Sequence, residues 1–296
     1  MKNSPKTQKP MRHHSIQFQR FHSFLLGCAL AASASISHAQ QSSFATERLL
    51  KIVERQELIY QKVAEDPDFY SESDLQRRIE GLLQSYRTYL TKRTDDVEAL
   101  ILYGKLLRRT DQSNQAFTVF LKADELDPRI AVVKQQIGTH LAEQGKGPAA
   151  LTFYLQAVEL EPDTAAYHFS LGKLLHEFRA DFIDESMFTR DAVDRETLKA
   201  FRKAAQLEPG NFDFQMRLGE AYYDQASPDW KSALVHWNKV RKTVETELRQ
   251  EIVDLHKSRV LGKLGRIEEA RDLAATIQQP SLLYSRQKVL DEMAQY

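Results

Sequence analysis

Residues 97–128 read VEALILYGKLLRRTDQSNQAFTVFLKADELDP, and residues 131–162 read AVVKQQIGTHLAEQGKGPAALTFYLQAVELEP. Laid one over the other, Gly104 falls on Gly138, Ala116 on Ala150, Phe120 on Tyr154, Ala123 on Ala157 and Pro128 on Pro162, all at an offset of 34 residues. Gly172 continues the same ruler, and the closing phrase Asp124–Pro128 returns as Val158–Pro162 and Ala205–Pro209. A fixed period of this length means stacked supersecondary units, each burying its apolar face on the next, rather than one central core.

With Val97 as position 1, Leu100, Tyr103, Gly104 and Leu107 take positions 4, 7, 8 and 11, and Ala116, Phe120 and Ala123 take 20, 24 and 27. Steps of three and four residues define one face of a helix, so each unit reads as two amphipathic helices facing each other. A glycine inside a helix costs about 1 kcal/mol relative to Ala, so its recurrence points to close helix approach. Pro at position 32 ends the second helix. No stretch alternates with period two, and the expected class is all-α.

The pattern resembles the tetratricopeptide repeat family, which prefers Gly or Ala at position 8, Ala at 20, an aromatic at 24, Ala at 27 and Pro at 32. The resemblance spans about Asp95 to Pro280 and implies a right-handed α-solenoid of stacked antiparallel helix pairs. Its units run 97–130, 131–164, 165–211, 212–247 and, in degenerate form, 248–280. Lys134 departs from the pattern, since position 4 is usually bulky and apolar. Residues 40–96 hold two further helices, Thr46–Glu65 and Asp74–Lys92, in which Leu82, Tyr86 and Tyr89 stand at positions 20, 24 and 27. Residues 281–296 read as a capping helix begun by Ser281. Asn211 is expected to cap the fourth unit's first helix, and Ser227-Pro228 to start its second.

The first 39 residues differ in kind. Lys2, Lys6, Lys9, Arg12 and Arg20 precede the thirteen-residue apolar run Phe24–Ile36 and the small-residue site Ser37-His38-Ala39. This is the layout of a secretory signal peptide, and the run falls short of the roughly 20 apolar residues that span a bilayer. Cleavage after Ala39 would leave a periplasmic or extracellular chain starting at Gln40, with Met11 an alternative start. The only cysteine, Cys28, closes a Leu25–Cys28 stretch similar to a bacterial lipobox, and a lipid anchor there is the one membrane attachment considered. Most of the apolar run follows Cys28, however, which favours ordinary cleavage. Processing at Ala39 leaves no cysteine and turns a balanced 41 basic and 41 acidic residues into 36 against 41. A mildly acidic chain is poorly suited to nucleic acid.

Catalytic constellations are not evident. His176-Glu177-Phe178-Arg179-Ala180 begins like a zinc-protease helix but has Ala in place of the second His. His140, His168, His236 and His256 are scattered and read as packed or surface histidines, and Gly145–Pro148 as a turn and helix start. No enzyme activity, metal or cofactor is expected.

The resemblance implies that positions 2, 5, 9, 12 and 13 of each first helix line a concave groove that binds peptides or helices. Here those positions include Ile101, Lys105, Arg108, Gln135, Thr139, Phe169, Lys173, Met216, Glu220 and Tyr223, running from basic to acidic. Phe169 and Tyr223 read as free anchors outside the inter-helix core. Ile101 and Gln136 stand where the family's carboxylate clamp needs Lys and Asn, which argues against that ligand. The third unit carries thirteen extra residues near 179–191, among them Phe182, Ile183, Met187 and Phe188. They are expected to fold as a short amphipathic helix over the solenoid's own edge, a partner-binding loop being the alternative. The function expected is a non-catalytic scaffold for an unidentified protein partner. A structural or assembly subunit of the bacterial envelope is the second reading.

Overall fold

The structure, a computed structural model, describes residues 42–294. The expected leader, its cleavage site and Cys28 lie outside the described residues. Among these, the chain forms fourteen α-helices and no strand. They fall into two compact units, one up to Arg93 and one from Thr94 onward.

The first unit is the antiparallel pair α1 (Ser42–Glu65) and α2 (Glu72–Leu90). Ser71 starts α2 by accepting a hydrogen bond from the Asp74 amide. Ile59, Leu82, Leu83 and Tyr86 are buried, and the Tyr86 hydroxyl donates to Gln56 Oε1 at 3.1 Å. Arg55 crosses to Gly81 O and Ser85 Oγ at 2.9 and 2.8 Å.

The second unit is the solenoid. Its pairs are α3 (Val97–Arg109) with α4 (Ser113–Leu126), α5 (Ala131–Glu143) with α6 (Gly147–Leu160), and α7 (Ala165–Glu177) with α9 (Arg190–Leu207), the short α8 (Arg179–Asp184) lying between the last two. Then come α10 (Phe212–Ala221) with α11 (Trp230–Arg241), and α12 (Glu247–Lys263) with α13 (Ile267–Ala275). A 3-10 turn (Pro280–Leu282) leads to α14 (Leu283–Met293), which packs on α12 and α13. Each second helix also packs on the next first helix, so the pairs stack in chain order.

The ruler has a steric cause at the aromatic position. A Cβ added to Gly104, Gly172 or Gly219 would lie 2.8, 2.7 or 2.2 Å from the ring of Phe120, Phe201 or Trp237. Position 8 is therefore the socket for the position 24 ring of the same unit. At Gly138 the nearest atoms, including Tyr154 Cδ2, stand at 3.4 Å, so the socket is looser there. Lys134 is accommodated at position 4 by an ion pair, its Nζ lying 2.7 and 3.0 Å from the two carboxylate oxygens of Asp124 on α4.

The turns of the first two solenoid pairs share one geometry. Asp111 and Gly145, 34 residues apart, both take positive φ (58° and 72°), and the next amide returns to the carbonyl five residues back, Gln112 to Leu107 and Lys146 to Leu141. This is the Schellman closure of a helix. In the third unit the corresponding residue is Arg179, which continues into α8, and the left-handed turn comes at Ser186 (φ 57°), where Met187 N returns to Phe182 O. Seven of the thirteen extra residues thus precede the turn and six follow it.

Two expected caps are corrected. Asp229, not Ser227, caps α11 by accepting from the Ser232 amide, because α10 stops at Ala221 and the loop runs on until Asp229 N reaches Tyr222 O at 2.8 Å. Ser281 sits inside the 3-10 turn, and α14 starts after Leu282 without a side-chain cap. Asn211 does cap α10, accepting from the Phe214 amide.

Candidate functional site

The first helices α3, α5, α7 and α10 carry the candidate face. Their N-termini are set by different means: Asp96 caps α3 through the Ala99 amide at 3.0 Å, whereas α5 and α7 have no side-chain cap. These two are held by packing on α4 and α6 instead.

Ile101, Lys105, Arg108, Gln135, Thr139, Met216 and Glu220 are half-buried, and Lys173 is exposed. The face is tied together across units. Arg108 makes two hydrogen bonds to the Glu143 carboxylate, 2.8 and 2.7 Å, joining α3 to α5. The guanidinium holds the Glu143 carboxyl below its ordinary range. His176 Nδ1 lies 3.6 Å from Asp224 Oδ2, joining the third and fourth units, and Arg217 pairs with Glu220 along α10. Thr139 Oγ1 and Tyr154 Oη share a hydrogen bond of 2.9 Å between α5 and α6. The basic-to-acidic gradient expected for this face is therefore partly neutralised within the protein.

Phe169 and Tyr223 are not free anchors. Phe169 packs on Phe214 and Phe201, with ring centroids 4.6 and 5.7 Å away, and so seals the third unit to the fourth. Tyr223 stacks on Trp230 at 5.4 Å and hydrogen-bonds His256 Nδ1 at 2.7 Å, and His256 stacks on Trp237 at 4.7 Å. At Phe169 and Tyr223 the side chain turns toward the neighbouring first helix, so these two rings are consumed by stacking. Burial drives the Tyr223 hydroxyl far above its usual range. Burial first, and Arg259 second, lower the His256 imidazole from its ordinary 6.5 to about 4.

That last shift gives a pH dependence with a definite sign. A base whose folded value is depressed takes up its proton first in the unfolded chain. Its stabilising effect is complete above its ordinary value and is lost as pH falls from about 6.5 toward about 4. The shift corresponds to at most about 3 kcal/mol. Burial lowers the neighbouring His236 in the same direction. Urea midpoints at about pH 7 and about pH 4.5 should fall more steeply for the native protein than for His256→Gln; parallel losses would contradict the assignment.

The insertion is built into the fold. Phe182 is fully buried among Ala150, Leu151 and Tyr154 of α6, Leu171, Leu174 and Leu175 of α7, and Val193 of α9, with Ile183 and Phe188 beside it. Met187, grouped with these in the sequence, stays 44% exposed because it follows the left-handed turn at Ser186. Asp194, almost fully buried, lies 2.9 Å from Arg179 Nε and 2.8 Å from Arg190 Nε, and accepts the Ala226 amide at 2.8 Å. One carboxylate thus joins α8, α9 and the loop after α10. Only the near-repeat spacing of such partners, 35 residues for Arg108 and Glu143 and 32 for Asp194 and Ala226, was available in the sequence to find these ties.

The other histidines pack in the fold. His140 stacks on Phe117 at 4.2 Å, and His168 and His236 bond the carbonyls of Pro162 and Gln215, both at 2.8 Å. Among the described residues no group of three or more His, Cys, Asp or Glu converges as a metal site, and no helix is long and apolar enough to cross a membrane.

Comparison with known proteins agrees with this geometry. The tetratricopeptide repeat model matches residues 97–130, and a TPR repeat model matches 138–177, ending just before the insertion. No curated protein sequence matches the chain. Among solved structures it is similar to YrrB, described as a TPR protein with an unusual peptide-binding site, at 14% identity and a TM-score of 0.57, over 70% of this chain and 97% of YrrB. PilF of Pseudomonas aeruginosa is similar at 15% identity and 0.58, over 83% of this chain and 99% of its own. PilW, a type IV pilus biogenesis factor, is similar at 12% and 0.56, over 84% of this chain and 99% of its own. At these identities what is shared is the fold. Residues 97–130 and 138–177 thus match tetratricopeptide repeat models, and the fold is a right-handed α-solenoid.

Proposed function

We propose that this protein is a non-catalytic scaffold, exported from a bacterial cell, that holds a peptide or helix of a protein partner along the first-helix face of its solenoid. One observation carries the reading. Four successive first helices present, in register, side chains that keep surface open to solvent: Ile101 and Lys105, Gln135 and Thr139, the exposed Lys173, then Met216 and Glu220. Such a row offers mixed polar and apolar contacts at the repeat spacing, and its packing already fixes the helices, so a ligand meets a preorganised surface. The description of YrrB as binding peptide supports the same use of the fold.

Partner capture from the native host should be weakened at least about tenfold by Lys105→Glu with Lys173→Glu, and the thermal midpoint should stay within a few degrees, since surface substitutions usually change stability by less than about 0.5 kcal/mol. Undiminished capture would remove this face from the account. Export rests on the basic leader, the short apolar run and Ser37-His38-Ala39. Amino-terminal sequencing of native protein should begin at Gln40. A lipid-modified Cys28 would instead support the envelope-subunit reading, and an intact leader in the cytoplasm would end the export claim.

A further inference from the structure

The second helices carry a feature that the first-helix face does not explain. Between α9 and α11, over α10, lies an open cleft of about 550 Å³. Its walls carry Arg202, Lys231 and Lys239, and its lining includes no Asp or Glu. The floor is formed by Ala205, Leu218 and Tyr222, and Val235 stands at the mouth, 71% exposed.

The repeat register makes the charge pattern informative. Arg202 occupies position 25, directly after the position 24 ring, where the first two units have the exposed Leu121 and Leu155. At this position the second helices thus change from apolar to cationic where the cleft opens. Arg202 lies over the Tyr222 ring, its guanidinium carbon 5.9 Å from the centroid. Asp229 is the carboxylate whose field reaches Arg202 and Lys231, and it is engaged at the start of α11, accepting from the Ser232 amide at 3.0 Å.

We propose that this cleft is a second binding site, for an acidic peptide segment of a protein partner that places an apolar side chain between its carboxylates. Three cations around a small apolar floor complement that chemistry in sign and in layout. Without its leader the chain has 36 basic and 41 acidic residues, so a long polyanion meets net repulsion away from the cleft, whereas a short acidic segment meets only the local cations. The site is walled by the second helices α9 and α11, and its lining includes none of the residues named for the first-helix face.

The probe is a fluorescein-labelled pentapeptide of four glutamates around a central leucine, titrated with the full mature chain and followed by anisotropy at low salt. Saturable binding is expected. It should weaken at least about tenfold in Arg202→Glu/Lys231→Glu/Lys239→Glu and several-fold in Val235→Ser, while Lys122→Glu on α4 should leave it unchanged. Lys239→Glu alone, at an exposed position, supplies the same test if the triple variant loses its helical circular dichroism. A peptide with glycine at its centre should bind several-fold more weakly than the leucine peptide. The proposal is overturned by absence of saturation, by equal binding of the glycine peptide, or by tighter binding of a single-stranded oligonucleotide. Light scattering that shows oligomers dissolved by the triple variant would also overturn it, assigning the cleft to a second copy.

Discussion

Phe182→Ala should destabilise the solenoid by about 3–5 kcal/mol, the range for emptying a fully buried aromatic site. The ring has no exposed surface and touches side chains from the second and third pairs, α6 on one side and α7 and α9 on the other. Its loss would open a cavity that two units share, and neither can collapse into it without leaving the other. Phe188, edge-on at 5.8 Å, cannot fill the space while Thr189 caps α9 immediately after it. Asp194→Ala should cost less, about 1–3 kcal/mol, because it leaves the largely buried Arg179 and the Ala226 amide without the carboxylate that they share. Met187→Ser, at an exposed position in the same insertion, should change stability by less than about 0.5 kcal/mol. Urea unfolding of the three variants decides the matter. A Phe182→Ala midpoint as close to native as that of Met187→Ser would mean that the insertion is a free loop.

Gly219→Ala is expected to cost about 2 kcal/mol, although alanine favours a helix over glycine by about 1 kcal/mol. The added methyl would lie 2.2 Å from Trp237, whose ring is completely buried and stacked on His256. Overpacking therefore outweighs helix propensity. At Gly138 the nearest neighbours stand at 3.4 Å, and the same substitution should be neutral or slightly stabilising. Melting temperatures measured by circular dichroism should place Gly219→Ala several degrees below native and Gly138→Ala at or above it. The reverse order would contradict the socket account of the repeated glycine.

The parts of this structure that were legible in the sequence are those fixed by steric rules within one unit. The spacing of Gly104, Phe120 and Pro128 defines a helix, its socketed partner and a stop, and it does so again 34 residues on. Stacking between units was not legible. Phe169 and Tyr223 read as free because the repeat pattern gives their positions no core role, yet Phe214 and His256 from the following units claim them. The same holds for Arg108, which is neutralised by Glu143 from the next first helix. Short-range ambiguity accounts for the cap at α11, where Ser227 and Asp229 both offer an oxygen and the length of the preceding loop selects Asp229. The insertion was legible as an amphipathic stretch through Phe182 and Ile183. Its attachment to Asp194 was not, since nothing local marks that carboxylate as buried.

Site-specific photo-crosslinking in the native host tests the central claim most directly. A photoreactive residue would replace Lys105, Lys173 or Glu220 on the first helices, and separately the exposed Glu125 or Glu159 on α4 and α6. If the first-helix face holds the partner, the three first-helix positions should yield adducts to the same polypeptide, and the two on α4 and α6 should not. Adducts confined to Glu125 and Glu159, or first-helix adducts only to a second copy of this chain, would contradict it.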